Sequence, residues 1–235
     1  MRCVDLAPLL ERGIPRWPTH PHLVIDPTVT HEHDGYYCQS ISMAEHTGCH
    51  VDAPSHSNHE MMDATIERVP VDYLNRPASV YDFADRDWQP GDLLTANDIL
   101  AYEKKHRNAV GEGEVALVNF GWLARYWATD ERAVWYAQNE PGIEEEAVVL
   151  FKERGIHALG TDTIACETAL VEGSMPRGAP GHLKHLLPNH ILLIESLKNL
   201  EQLTPRCYFV CAPLPIKNGS GSPVRPMAYC PTDGA

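Results

Sequence analysis

Short apolar runs separated by polar turn residues recur along the chain and predict a fold with many strands. Each run is β-branched or aromatic and is bounded by glycine, proline or asparagine, as strands commonly are. Proline occurs 19 times and is dispersed, which indicates many turns between short elements. The predicted strands cover residues 39–43, 79–82, 115–120, 156–160, 191–195 and 207–212.

Two segments between these runs carry the signals of helices. Thr95 can cap a helix over residues 96–105. Residues 143–154 begin with acidic and end with basic side chains, and Gly155 follows, which matches the helix dipole and a glycine C-cap. This helix leads directly into the strand at 156–160, as in an α/β unit. Strands that alternate irregularly with a few helices predict a mixed α/β or α+β domain.

Length and charge limit the class of protein. The chain has 235 residues, of which 43% are hydrophobic, so it can bury a substantial core. No internal repeat or Gly/Ser linker divides it, and residues 1–235 are predicted to form one domain. The net charge of −13, without a lysine or arginine run, disfavours nucleic acids and anionic membranes as partners.

Targeting and redox signals favour a cytoplasmic protein. No apolar stretch approaches the roughly 20 residues of a membrane span. The N-terminus lacks the basic-then-apolar layout of a secretory signal. The seven cysteines are scattered without CxxC pairs, which predicts neither a disulfide framework nor a cysteine zinc site.

One stretch, EHTGCHVDAPSH ending at His56, concentrates side chains that can bind a cation or carry a proton. Glycine and proline within it argue against a helix, so extended or turn backbone is predicted. His50 and Asp52 then point to one side, because side chains alternate along a strand. His46 would reach the same point across a bend at Gly48.

Imidazoles and a carboxylate suit Zn²⁺ or Mn²⁺, and the two oxygens of Asp52 allow it to bridge two ions. A solvated loop whose histidines hydrogen-bond to the backbone would have the same composition. The spacing alone leaves both interpretations open.

The complete motif resembles the signature of a known family. His46-Thr-Gly-Cys-His50-Val-Asp52-Ala-Pro54-Ser-His56 is similar to the HxGTHxDxPxH pattern of the cyclase-like metal-dependent hydrolases, which include bacterial kynurenine formamidases and isatin hydrolases. Cysteine at position 49 replaces the usual threonine, and we interpret it as a small-residue exchange. Other segments that resemble this family are residues 13–18, 160–163, 191–197 and 213–225.

The resemblance implies a role for each motif residue. Carried over from the formamidase branch, His46 and His50 hold one ion, and Asp52 touches both ions of a two-metal site. His56 is the acid/base. Glu195, in the segment ILLIESL, corresponds to a late glutamate ligand. One or two ions, Zn²⁺ or Mn²⁺, are therefore the expected cofactor.

A late histidine should complete the second metal site. The family's spacing points to Leu183, which His182 and His185 flank. We select His182, because a turn or helix entry easily absorbs a shift of one residue. His185 and a site with a single ion stay as alternatives. The ordinary interpretation of His185 and His190 is that of exposed histidines at a helix end.

The resemblance also covers the substrate pocket and the assembly. Trp17 corresponds to a tryptophan of the family's substrate loop, where its flat ring would stack on an aryl substrate. Its alternative role is that of a loop anchor. The family implies a swivelling β/β/α fold with a small barrel-like mixed sheet. It also implies a homodimer or homotetramer with pockets near the subunit contacts.

The expected function is hydrolysis of an amide bond in a small aromatic substrate through a metal-activated water. The first candidate is an arylformamidase that hydrolyses N-formylkynurenine in tryptophan catabolism. Opening of an isatin-type lactam or a lactone is the alternative within the family. The alternative from another class is a metal-binding protein without catalysis. Neither a GxSxG serine nucleophile nor a phosphate-binding glycine motif is present.

Overall fold

The computed structural model describes residues 1–167 and 179–232. In chain order its strands are β1 (Arg2–Asp5), β2 (Val24–Val29), β3 (Cys38–Ser42), β4 (His50–Asp52), β5 (Arg76–Asp82), β6 (Leu93–Leu94), β7 (Val115–Asn119), β8 (Gly142–Ile143), β9 (Ala158–Thr161), β10 (Leu192–Glu195), β11 (Arg206–Val210), β12 (Gly221–Pro223) and β13 (Met227–Cys230). Its α-helices are α1 (His31–Asp34), α2 (Ala96–His106), α3 (Trp122–Tyr126), α4 (Arg132–Asn139) and α5 (Glu145–Glu153).

Nine of these strands form one mixed sheet in the order β1-β13-β11-β5-β7-β9-β10-β4-β12. The central strands β5, β7, β9 and β10 run parallel, and antiparallel strands complete both edges. The sheet is strongly curled into a half-barrel. This architecture confirms the expected mixed α/β fold with a barrel-like sheet.

Both faces of the central sheet are buried. Val115 and Leu117 of β7 belong to one apolar cluster, whereas Ala116 and Val118 belong to a second cluster on the other face. Residues of α2, α4 and α5 pack into the second cluster. Because both faces are covered, β7 is apolar at four consecutive positions, 115–118, instead of alternating with polar residues.

Most predicted elements occur in the structure. Five predicted strands, at 79–82, 115–120, 156–160, 191–195 and 207–212, overlap β5, β7, β9, β10 and β11. The helix predicted at 96–105 is α2, and Thr95 caps it in a reciprocal capping box with Asp98. Within the described residues, the helices are too short and too polar for any of them to cross a membrane.

Two predicted elements differ in their surroundings or bounds. The helix predicted at 143–154 begins at Glu145, because Ile143 lies in β8 and pairs with Leu94 of β6. The strand predicted at 39–43 forms as β3, but it pairs with β2 in a hairpin. We call residues 24–42 the hairpin arm. Since residues 31–42 are all exposed, the apolar content of β3 does not mark a core strand.

Candidate metal centre

The motif strand β4 lies between two strands from the far end of the chain. It pairs antiparallel with β10 on one side and with β12 on the other, and the register sets His50 opposite Glu195. Val51 and Ile194 point into an apolar core cluster. Alternation along the strands therefore sends His50, Asp52 and Glu195 to the opposite face.

A bend before β4 returns His46 to the same point. Gly48 has a φ of +66°, in the left-handed region that favours glycine. A Cβ atom on Gly221 of β12 would lie 2.5 Å from His46 Cε1, so a glycine there makes room for the imidazole. His46 Nδ1 lies 2.6 Å from Asp52 Oδ1, and its Nε2 lies 2.9 Å from Ser220 Oγ.

The Asp52 carboxylate is the centre of the cluster, and its side chain is 1% exposed. Besides its contact with His46, Oδ1 lies 3.4 Å from His50 Nε2. Its Oδ2 lies 3.6 Å from His182 Nε2 and 4.0 Å from His56 Nε2. Both oxygens thus face imidazoles from different directions, an arrangement that a carboxylate bridging two ions would need.

Glu195 and His182 close the other side of the cluster. Glu195 Oε2 lies 3.2 Å from His50 Nε2, and Oε1 lies 3.3 Å from His182 Nε2. His182 belongs to a single π turn, Gly181–His185, that follows the region outside the described residues. The structure therefore brings all six predicted metal-binding and acid/base residues into one cluster.

The other residues considered for the late ligand lie away from this point. His185 Nε2 lies 2.7 Å from Glu145 Oε1 of α5. Leu183 is 47% exposed, and His190 is exposed with a left-handed φ of +59°. Among the histidines of this segment, His182 is the one whose ring contacts Asp52 and Glu195.

The two buried carboxylates determine where protons reside in the metal-free chain. Burial would raise the pKa of Asp52, but the charge of the neighbouring imidazoles, His46 first, holds that pKa well below its usual range. Burial opposes protonation of His50, but its hydrogen bond with Glu195 and the Asp52 charge raise the pKa of His50 to about 9. Protonated imidazoles thus balance the carboxylates, and a divalent cation can supply the same positive charge.

The donor set fits a divalent ion. His50 Nδ1 donates to the Gly48 carbonyl at 2.8 Å, which leaves Nε2 to face the carboxylates. Metal-binding histidines characteristically donate their second ring N–H in this way. Among the residues that the structure describes, three groups of side chains bring their potential ligand atoms to within 4.8 Å of one another inside each group. These groups are His46, Asp52 and His56; His50, Asp52 and Glu195; and Cys166, Glu167 and His182.

These groups differ from the ligand assignment that the family resemblance implied. His46 and His50 fall into separate groups instead of sharing one, although their rings lie edge to face at 5.1 Å. Asp52 belongs to both. Asp52 could therefore offer an oxygen to either group, and the distribution of the histidines between ions stays a proposal.

His56 stands on the open side of the cluster. Its side chain is 31% exposed, and its ring centroid lies 4.0 Å from that of His46. Partial burial lowers the pKa of His56 to about 4, against the opposing charge of Asp52. The imidazole is therefore neutral at pH 7.

A cavity of about 320 Å³ lies over the cluster. Trp17 forms part of its wall, as expected for a substrate-lining residue, and also packs against an apolar core cluster. This position suits either role considered for the residue, and its contact with a substrate stays a prediction. The remaining wall consists of Thr19, His20, Ser57, Ile164, Ala165, Glu167 and Ala179.

Sequence reasoning assigned no role to several residues that surround the ligands. The Cys166 backbone N–H donates to Glu195 Oε1 at 3.1 Å, and Glu167 Oε2 lies 2.8 Å from the His182 ring. Ser220 and Gly221 contact His46 from β12 and the turn before it. Ser220 and Gly221 lie in the tail segment, 213–225, that resembles the family, whereas Cys166 and Glu167 lie just beyond the resembling segment 160–163.

Cys49 is 3% exposed and belongs to the apolar cluster on the face opposite His50. Burial raises the pKa of its thiol well above the usual range. It therefore behaves as a small hydrophobic residue of the core.

Comparison with known proteins agrees with this site. The Cyclase family model, described as "Putative cyclase", matches residues 4–168. An isatin hydrolase from Roseibium aggregatum is 30% identical over 197 residues, which are 80% of this chain and 73% of that protein. Cyclase-like protein 2 from Oryza sativa subsp. japonica is 26% identical over 192 residues, 79% of this chain and 62% of the rice protein.

Solved structures share the complete fold. An isatin hydrolase bound to the product analogue thioisatinate superposes with a TM-score of 0.86 at 28% identity, covering 98% of this chain and 92% of the other. Isatin hydrolase A from Labrenzia aggregata, bound to benzyl benzoate, superposes with a TM-score of 0.85 at 27% identity. The match covers 97% of this chain and 93% of the other. The chain therefore belongs to the cyclase family of metal-dependent hydrolases.

Proposed function

We propose that the protein hydrolyses the amide bond of a small aromatic lactam of the isatin type. The observation that carries this proposal is the position of Asp52, buried among three imidazoles beside Glu195 at the base of a cavity that Trp17 lines. The similarity of the chain to isatin hydrolase, at 30% identity, favours a lactam substrate over the formamide substrate that we considered first.

The proposed ligands are His46, His50, Asp52, His182 and Glu195, and they would hold one or two Zn²⁺ or Mn²⁺ ions. Such an ion, when bound, lowers the pKa of water to about 7 and polarises a carbonyl oxygen. The buried carboxylates attract the cation, while the apolar core beneath β4 fixes the side chains that face it.

His56 is the proposed acid/base. Its neutral ring, 4.0 Å from Asp52 Oδ2 at the open side of the cluster, can accept a proton from the attacking water. It can then return that proton to the departing nitrogen, so that an amide and water give a carboxylate and an amine. Trp17 would hold the aryl ring of the substrate over the cluster by stacking.

A substrate panel on metal-loaded protein tests the reaction class. Isatin, N-formylkynurenine, an aryl lactone and a linear anilide should be compared by kcat/KM. The proposal expects isatin to be the preferred substrate and the linear anilide to be poor. Preference for N-formylkynurenine would instead establish an arylformamidase. Tight metal binding without hydrolysis of any of them would favour a non-catalytic metal-binding protein.

The proposal includes a homodimer or homotetramer in which the hairpin arm contacts a second copy. An isolated two-stranded hairpin is marginally stable in water, yet this arm exposes the apolar side chains Val24, Tyr36, Tyr37 and Ile41. Analytical ultracentrifugation should show an oligomer that Ile41→Asp weakens. A monomeric wild-type protein at micromolar concentration would contradict this part.

A cytoplasmic location is also proposed. All seven cysteines are free in the structure, and Cys3 and Cys38 are exposed, which suits a reducing compartment. Fractionation of native cells should recover the activity with the cytosol.

A further inference from the structure

A short turn at residues 166–167 holds both late members of the cluster. The Cys166 backbone N–H donates to Glu195 Oε1 at 3.1 Å. The neighbouring Glu167 carboxylate accepts from the Gly181 backbone N–H at 2.6 Å and from the His182 backbone N–H at 3.2 Å. Its Oε2 also lies 2.8 Å from His182 Nδ1. This buried carboxylate thus contacts His182 through both backbone and ring.

The backbone at Gly181 leaves space for this carboxylate. A Cβ atom at Gly181 would lie 2.9 Å from Glu167 Cδ and 3.1 Å from each of its oxygens. Any other residue there would require the carboxylate to shift away from this position by a few tenths of an ångström. Glycine at 181 and glutamate at 167 are therefore matched to each other.

The contact determines which nitrogen of His182 faces the cluster. A carboxylate is an acceptor, so Nδ1 carries the proton that it donates to Glu167. Nε2 is then the nitrogen directed at Glu195 Oε1, 3.3 Å away, and at Asp52 Oδ2, 3.6 Å away. His50 reaches the same arrangement by donating Nδ1–H to a backbone carbonyl, that of Gly48.

We propose that Glu167 is a positioning residue that fixes the tautomer and orientation of His182 and so strengthens its binding to the catalytic cation. This inference rests on the proposed function, because it assumes that His182 is a metal ligand. Removing such a partner of a metal-binding histidine typically costs 10- to 100-fold in metal affinity.

The contacts of these residues favour support of His182 over a separate metal site. Cys166 Sγ, Glu167 and His182 lie close enough to share an ion. However, the Glu167 oxygens already accept three N–H groups, and Nδ1 of His182 has no free lone pair while it donates to Glu167. If Glu167 supports His182, all of these hydrogen bonds are used, whereas an additional ion at this point would compete with them.

Metal affinity provides the direct test. Glu167→Ala, Glu167→Gln and the control Glu145→Gln should be titrated with Zn²⁺ in competition with a chromogenic chelator. Glu145 is a matched control, because it contacts a ring nitrogen of His185 in the same segment, outside the cluster. We expect Glu167→Ala to weaken Zn²⁺ binding about 10- to 100-fold. Glu167→Gln should lose less Zn²⁺ affinity, since the amide oxygen of the new side chain can still accept a hydrogen bond from Nδ1 of His182. Glu145→Gln should bind Zn²⁺ as tightly as the wild type.

A second readout separates positioning from simple support of the turn. In the Zn²⁺-loaded wild type, the Nδ1 proton of His182 should give a downfield NMR resonance that Glu167→Ala abolishes. A variant whose thermal stability falls while its Zn²⁺ affinity stays at the wild-type value would overturn the inference.

Failure of this inference is distinguishable from failure of the proposed function. If the wild type binds Zn²⁺ and hydrolyses a lactam but Glu167→Ala binds Zn²⁺ as tightly, only the role of Glu167 is wrong. If Glu167→Ala weakens binding but the wild type hydrolyses nothing, the positioning role stands and the proposed reaction fails. A wild type that binds no ion overturns both.

Discussion

A methyl group at position 221 should disable the site by displacing one imidazole. In Gly221→Ala, the new Cβ would lie 2.5 Å from His46 Cε1, whereas ordinary van der Waals contact begins at 3.4 Å. The same Cβ would lie 2.7 Å from the Val51 backbone oxygen of β4. The β4 backbone and the His46 ring must therefore both make room, the ring by about 1 Å, and a displacement of that size at a catalytic centre can cost about 10²-fold in rate. This loss corresponds to about 2.7 kcal/mol of transition-state stabilisation.

The assay compares kcat/KM and bound metal per folded chain for Gly221→Ala and Gly160→Ala. Gly160→Ala is the control, because its new Cβ would lie 2.8 Å from side-chain atoms of Leu117 and Leu197 in the core. Overpacking should destabilise both variants by about 1–3 kcal/mol, but only Gly221→Ala meets a proposed ligand. A folded Gly221→Ala protein with wild-type kcat/KM and metal content would show that the position of His46 does not determine activity.

Three other perturbations test single residues. His56→Ala should retain bound metal but lose roughly 10²–10⁴ in kcat, because its proton transfer is missing; wild-type turnover would remove it from the acid/base role. The pKa of His50 is about 9 in the metal-free chain, so its ring is protonated at pH 7 and must lose a proton on coordination. Metal affinity should therefore rise with pH up to about 9, with proton release visible by calorimetry in buffers of different ionisation enthalpy; a pH-independent affinity would contradict this. Trp17→Ala should raise KM about 2- to 10-fold with little change in kcat, as expected for lost stacking; an unchanged KM would leave Trp17 as a loop anchor.

Local pattern was sufficient to predict the geometry of the motif. Side chains alternate along β4, so His50 and Asp52 had to share a face. Gly48 provided the bend that returns His46 to them. The approach of Glu195 was different, because it depends on the pairing of strands about 140 residues apart. Only the family resemblance anticipated that contact.

Long-range packing also explains what the sequence did not reveal. Glu167 has no local feature that distinguishes it from an exposed loop glutamate, and its role depends on its approach to the Gly181 backbone. The β3 segment satisfied every strand rule, yet it forms part of the exposed hairpin arm. Ile143 fitted a helical start but pairs with Leu94 in β8 and β6. Local propensity cannot anticipate such partners.

The central claim is that the cluster around Asp52 binds a divalent cation on which hydrolysis depends. Elemental analysis of the purified protein, followed by chelation and reconstitution with isatin turnover as the readout, tests it most directly. We expect one or two tightly bound divalent ions per chain, loss of turnover on chelation, and recovery with Zn²⁺ or Mn²⁺. Full turnover in metal-free protein, or a chain into which no divalent ion can be titrated, would contradict it.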